Sequence, residues 1–148
     1  MFSVQEKLLG KRVFDRRVYV FALAIFLLFV FDAVAIYFSW YYYYEWIDIP
    51  VHITGGFILA LLFYYLTFAN RWTRHLVGLV RSKDVIFTVM TFWVLVVAIG
   101  WEIVEFVAGR TRLSPKFPVD TFTDISVTVL GAYVAYLLVK ELRIKYLK

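Results

Sequence analysis

Three pairs of ligand-type side chains stand at helical spacing in this chain: Asp48 with His52, Glu102 with Glu105, and Asp120 with Asp124. Residues three or four apart leave the same face of a helix, so each pair presents its two side chains together. Carboxylates with a single imidazole and no thiol suit Mg²⁺, Mn²⁺, Ca²⁺, or a His-assisted Zn²⁺ or Fe²⁺. The carboxylate majority favours the harder ions. Carboxylates bridging two such ions would also permit hydrolysis of a phosphate.

Each pair adjoins or lies within a hydrophobic stretch. Of 148 residues, 63% are hydrophobic, 21% aromatic and only 18% charged, whereas a soluble domain is nearer a quarter charged. Mean hydropathy is +0.77. Residues 18–38, 51–69, 85–108 and 121–139 each match the roughly 20 residues that cross about 30 Å of hydrocarbon. The sequence predicts an all-α integral membrane protein, a single domain over 1–148, built as a small bundle of four transmembrane helices. The first stretch exceeds the roughly 7–15 residues of a signal-peptide core, and no small-residue cleavage site follows. It is expected to remain as a span. It runs into Ser39-Trp40-Tyr41-Tyr42-Tyr43-Tyr44-Glu45-Trp46, an aromatic belt suited to the headgroup level. With no cysteine, disulfides, thiolate metal sites and cysteine nucleophiles are excluded.

Orientation follows from the bases. Thirteen of the 16 Lys and Arg fall in the amino-terminal segment, the loop between spans two and three, and the carboxyl-terminal segment. Only Arg110, Arg112 and Lys116 fall on the other side. The positive-inside rule then places both termini in the cytoplasm of a multi-pass cell-membrane protein. The net charge of +5 and pI near 9.5 are accounted for by this topology and by contact with anionic lipid, so no nucleic-acid partner is expected. His75 belongs to the cytoplasmic loop. Residues 1–17 mix apolar and charged side chains as a short interfacial helix would.

At about 1.5 Å per residue, Asp32, Asp48, His52, Glu102, Glu105 and Asp124 all fall in the outer part of the bilayer. The same faces carry small residues: Gly55 and Gly56, Ala98 and Gly109, then Thr128, Gly131 and Ala135. Small residues mark helix contacts in membranes, so the acids should point into the bundle. Seven acids stand on the outer side against three bases, an excess that cations would neutralise. All three prolines are expected in the outer connections, and 109–119 reads as a helix stop and turn, a candidate lid.

Other readings compete. Thr121-Phe122-Thr123-Asp124 matches a capping box, and acids at the starts of spans two and four complement the helix dipole. Glu102 and Glu105 lie near a helix carboxyl end, where that explanation fails. Asp32 can serve as a hydrogen-bond acceptor for a neighbouring helix. Trp101 and the tyrosines read as belt anchors. No Gly-rich phosphate loop, nucleophile elbow or H-E-x-x-H motif is present.

At Asp48-x-x-x-His52-x-x-Gly55-Gly56, Gly100-Trp101-Glu102-Ile103-Val104-Glu105, and Asp120-x-x-x-Asp124 followed by Leu130-Gly131-Ala132, the chain resembles the VanZ-like and YjdF-like small membrane proteins. The likeness covers spans two to four. It implies a polytopic bundle whose polar motif residues cluster, in families tied to glycopeptide resistance. Where the family pattern places Asn four residues after the last acid, this chain has Thr128.

The expected function is an outward-facing acidic cavity binding divalent cations (Mg, Mn, Ca or Zn). Its ligands are Asp48, His52, Glu102, Glu105, Asp120 and Asp124, with Asp32 and Thr128 as further polar groups and Arg110 and Arg112 at the mouth. The alternatives are a metal-dependent hydrolase of a lipid-linked phosphate in the outer leaflet, and a structural or assembly protein; of these the non-enzymatic readings are favoured. Four helices make a thin bundle for a private cavity, which favours a homo-oligomer. The charge split predicts that a cysteine at Ser114 reacts with an impermeant thiol reagent in intact cells, and that one at Ser82 does not. The opposite labelling pattern would overturn the orientation.

Overall fold

The structure, a computed structural model, describes residues 16–69, 83–109 and 117–146. Four helices are long and apolar enough to cross a membrane: α1 (Arg16–Tyr37), α2 (Asp48–Tyr64), α3 (Lys83–Val107) and α4 (Phe117–Tyr146). The interfacial helix expected at 1–17 lies outside the described residues except for its last two positions. The loop with His75, expected to be cytoplasmic, the body of the expected lid, and Arg110, Arg112 and Pro115 also lie outside them.

Two helices start earlier than the hydropathy suggests, and the prolines explain why. α2 opens at Asp48 and takes Pro50 into its first turn; α4 opens at Phe117 and takes in Pro118. First-turn amides have no intrahelical acceptor, so proline is tolerated there. These two prolines therefore belong to helices and not to the connections. The same early start removes the capping box. Thr121 and Asp124 are interior residues of α4, and Thr123 Oγ1 donates to the Val119 carbonyl at 2.8 Å. α3 stops at Gly109, whose φ of +80° is the left-handed conformation that glycine supplies at a helix end. Gly109 is thus a stop signal, not part of a packing face. α2 continues into a wider π turn at Tyr65–Ala69.

Between α1 and α2 the chain reverses at Ser39, a non-glycine residue at φ 57°. One helical turn (Trp40–Tyr43) and a 3₁₀ turn (Glu45–Ile47) then lead directly into Asp48.

The bundle is organised around α2 and α4, which make its most extensive contact. A Cβ added to Gly56 would collide with the Thr128 carbonyl oxygen, and one added to Gly131 would collide with the Ile53 carbonyl and approach Phe57 N at 2.9 Å. Each glycine receives the other helix's backbone. Asp48 lies beside Asp124, His52 beside Thr128, and Ala60 beside Ala132 and Ala135, so the two helices run parallel. α3 runs antiparallel to both and inserts Ile86, Met90 and Val94 into their shared core. α1 leans on α2, where Leu28 Cδ2 stands 3.3 Å from the Cβ position of Gly55. Its Leu23, Phe26, Leu27 and Val30 remain exposed on the outside of the bundle, the surface that a bilayer would cover with lipid.

The close α2–α4 crossing predicts different outcomes at three glycines. Gly56→Ala and Gly131→Ala should each destabilise by about 1–3 kcal/mol, the usual range for overpacking. At Gly100 a Cβ meets open space, so Gly100→Ala should be neutral or gain up to about 1 kcal/mol in helix propensity. Thermal unfolding in detergent measures all three. A Gly56→Ala protein as stable as its parent would refute the crossing.

Candidate functional site

The parallel crossing sets two one-turn ladders side by side. On α2 the ladder is Asp48 then His52; on α4 it is Asp124 then Thr128. His52 Nε2 lies 3.5 Å from Asp48 Oδ1 and 4.0 Å from Asp124 Oδ1. One ligand atom from each of these three residues falls within 4.8 Å of the others.

Thr128 decides what the imidazole offers. Its hydroxyl donates its one hydrogen to the Asp124 carbonyl oxygen at 2.6 Å. A carbonyl has no hydrogen to give, so the direction of that bond is fixed. His52 Nδ1 approaches the same hydroxyl at 3.1 Å, and the assignment that satisfies both contacts has Oγ1 accepting from Nδ1–H. In the neutral ring Nε2 is then the bare nitrogen, and it faces two carboxylate oxygens. Three electron-rich atoms pointing together form a place that favours positive charge, as a proton or as a metal ion. A partner fixing the ligand's tautomer through the remote ring nitrogen is the usual arrangement around metal-bound histidine.

The other candidates surround this triad. Glu102 and Glu105 enter from α3 and are 7% and 9% exposed. Together with Asp48 and Asp120 they are close enough to act electrostatically on Asp124. Glu102 Oε2 is buried, and Thr121 Oγ1, also buried, is its neighbour on α4. Asp120 is exposed in the first turn of α4, outside the triad. Asp32 on α1 accepts a 2.6 Å hydrogen bond from the Tyr41 hydroxyl. The six-residue ligand set read from spacing therefore resolves into a compact group of three, two buried glutamates beside it, and one exposed aspartate. The described basic residues Arg16, Arg17, Lys83, Lys140, Arg143 and Lys145 all stand at the opposite helix ends, while Arg110, Arg112 and Lys116 lie outside the described residues.

An imidazole nitrogen with two carboxylate oxygens can hold a divalent cation. Bonds of about 2.0–2.2 Å would bring neighbouring ligand atoms to roughly 3–3.5 Å of one another. From 3.5 and 4.0 Å, that is a contraction within the reach of side-chain rotation.

Against the triad lies a cavity of about 240 Å³. Asp32, Asp48, His52, Glu105 and Thr128 form its polar edge, and Ile25, Leu28, Leu59, Val97 and Trp101 are among its apolar walls. The residues that line it all belong to one chain. Two participants were not legible in the sequence. Tyr41 was hidden in a run of four tyrosines, and only the need of a membrane Asp32 for a partner pointed towards it. Trp101 was read as a belt anchor, yet it lines the cavity and packs against Phe29 with ring centroids 5.5 Å apart.

Compared with known proteins, no curated protein and no solved structure matches the chain. The family described as "Predicted membrane protein (DUF2238)" matches residues 11–144, which takes in α1 to α3 and nearly all of α4. The match agrees with a small membrane-protein family without specifying the VanZ-like or YjdF-like ones. The chain belongs to this DUF2238 family of predicted membrane proteins.

Proposed function

We propose that the protein binds a divalent cation at Asp48, His52 and Asp124, on the outer side of the cell membrane. The observation that carries this reading is the Thr128-fixed imidazole, whose Nε2 faces Asp48 and Asp124. Glu102 and Glu105 act electrostatically on Asp124 from α3, so an ion at the triad would have further carboxyls beside it. Two carboxylates to one imidazole favour Mg²⁺ or Mn²⁺ over softer ions, with Zn²⁺ acceptable to the histidine. The outward orientation rests on the distribution of Lys and Arg. The motif likeness to VanZ-like and YjdF-like proteins is compatible with this site. A hydrolase acting on lipid-linked phosphate would need bases to grip the phosphate, and the sequence puts only Arg110, Arg112 and Lys116 on the outer side. Cation binding is therefore preferred to catalysis.

Mn²⁺ should raise the melting temperature in detergent, by an amount corresponding to about 2.7 kcal/mol at 100 times the dissociation constant. Asp48→Asn, His52→Gln and Asp124→Asn should each remove most of that gain, and Asp120→Asn should leave most of it. If a triple variant at Asp48, His52 and Asp124 responds to Mn²⁺ like the parent, these residues are not the ligands.

The tautomer has its own test. With His75→Gln isolating His52, ¹⁵N NMR should show hydrogen on Nδ1 in the neutral ring. Thr128→Val should erase that preference and weaken Mn²⁺ binding by about 10–100-fold, the range for partners of metal ligands; Thr128→Ser should retain both. An Nε2–H tautomer in the parent would rule out Nε2 as the ligand atom.

A further inference from the structure

We propose that the cavity beside the triad binds a single-chain lipid with a hydroxyl head. The chain enters from the bilayer between α1 and α3, and the head oxygen completes the shell of the ion. The inference rests on the cation reading and adds to it the ligand's class and route.

Helix packing gives the route. α1 leans on α2, and among the described residues its backbone makes no comparable approach to α3. The cavity occupies the gap that this leaves: Ile25, Leu28 and Phe29 face it from α1, and Val97, Ala98 and Trp101 from α3. The rings of Phe29 and Trp101 reach across, with centroids 5.5 Å apart and planes inclined at 60°. Two side chains therefore close this flank where packed helix backbones do not. Phe29 is half exposed on the outside of the bundle, so rotation of its ring opens the cavity sideways. Between two membrane-spanning helices such an opening leads to hydrocarbon.

Wall chemistry and volume give the chain. Beside the α1 and α3 side chains, Leu59 and Gly55 of α2 line the apolar part. Water does not stay there, because it lacks the two to four polar partners it needs. At about 30 Å³ per water-sized group, 240 Å³ accommodates a segment of roughly eight methylenes, which is one chain and not two. From Ile25 to Asp32 and from Val97 to Glu105 the walls run roughly 10–12 Å along the helices, deep enough for that segment. α1, whose span is only 6% buried, is the wall that can give way to admit it.

The polar edge gives the head. Asp48 and His52 border the cavity as well as belonging to the triad, so an ion held there has a side turned towards the chain. Three protein ligands leave a position open for another donor, and hard ions take oxygen. Asp48 and Asp124 together already balance a divalent charge, so a neutral oxygen suits the open position. Asp32 and Glu105 stand at the same edge. A carboxylate offers about four lone-pair sites, so Asp32, which accepts from the Tyr41 hydroxyl, has capacity to accept again. A head that brings a hydrogen for these oxygens and a lone pair for the ion is a hydroxyl. Pockets that are mostly apolar, with a few polar groups fixing one end, are the common form of ligand site.

The test uses three probes with the same twelve-carbon, diazirine-bearing chain and hydroxyl, phosphate or trimethylammonium heads. Each is placed at low mole fraction in phosphatidylcholine nanodiscs holding the full chain, with Mn²⁺ or with chelator. After photolysis in Mn²⁺, the hydroxyl probe should label peptides containing residues 25–29 and 97–101 about tenfold more than either other probe. Unlabelled dodecanol should compete, and chelator should lower the labelling at least threefold. Ala98→Leu and Ile25→Trp, which fill the cavity from two walls, should reduce labelling about tenfold while the Mn²⁺-induced rise in melting temperature persists. Asp48→Asn should remove the dependence of labelling on Mn²⁺. Undiminished labelling in both filled variants, absence of competition on the unaltered protein, or preference for the phosphate or trimethylammonium head would each overturn the proposal. A rise in melting temperature with no rise in labelling overturns this inference and leaves the cation reading standing. If Mn²⁺ moves neither, both fall.

Discussion

The site depends on the contact between two helix backbones. Gly56 takes the Thr128 carbonyl and Gly131 takes the Ile53 carbonyl, bringing α2 and α4 closer than side chains would allow. In a membrane, helix association has no hydrophobic drive between lipid-like surfaces, so such small-residue contacts supply the attraction. Here they also set the register. With the two parallel helices locked at Gly56 and Gly131, the positions one and two turns towards the acidic end face each other. Those positions are His52 and Asp48 on α2, and Thr128 and Asp124 on α4. A larger residue at either glycine would displace the whole ladder from the imidazole.

The acids run against what helix electrostatics favour. Asp48 and Asp120 stand at helix amino ends, where negative charge is stabilised. Glu102 and Glu105 stand near the carboxyl end of α3, where it is disfavoured, and both are buried. Desolvated like charges gathered together are costly. A fold that needed only to span the bilayer would have no reason to hold these groups together, and charged residues inside membrane spans are characteristically functional.

The parts of this architecture governed by composition and period were readable in advance. Hydropathy located four spans, and i,i+4 spacing identified Asp48 with His52 and Asp120 with Asp124. Helix starts were displaced because Pro50 and Pro118 resemble breakers in sequence but are harmless in a first turn. The division of the acids was not readable either, because spacing along one helix says nothing about rotation against its neighbour. Asp120 and Asp124 share a stripe, yet only Asp124 reaches His52; the glycine contact places the second turn of α4 opposite α2 and leaves the first turn exposed. Tyr41 reaches Asp32 through a reversal at Ser39 in a left-handed conformation, which non-glycine residues adopt rarely enough that sequence gives no warning.

What separates a site from a collection of carboxylates is a fixed direction. Carboxylates bind cations loosely from many angles, and the exposed Asp120 needs no further explanation than its helix dipole. The imidazole differs, because in its neutral form only one ring nitrogen carries hydrogen, and Thr128 selects which. The hydroxyl can do so because the Asp124 carbonyl has already taken its hydrogen, and Asp124 also supplies the carboxylate that Nε2 faces. One residue of α4 thus contributes a backbone acceptor and a side-chain ligand group to the same centre. Asn at position 128 could either donate or accept towards Nδ1, whereas this threonine is left only to accept.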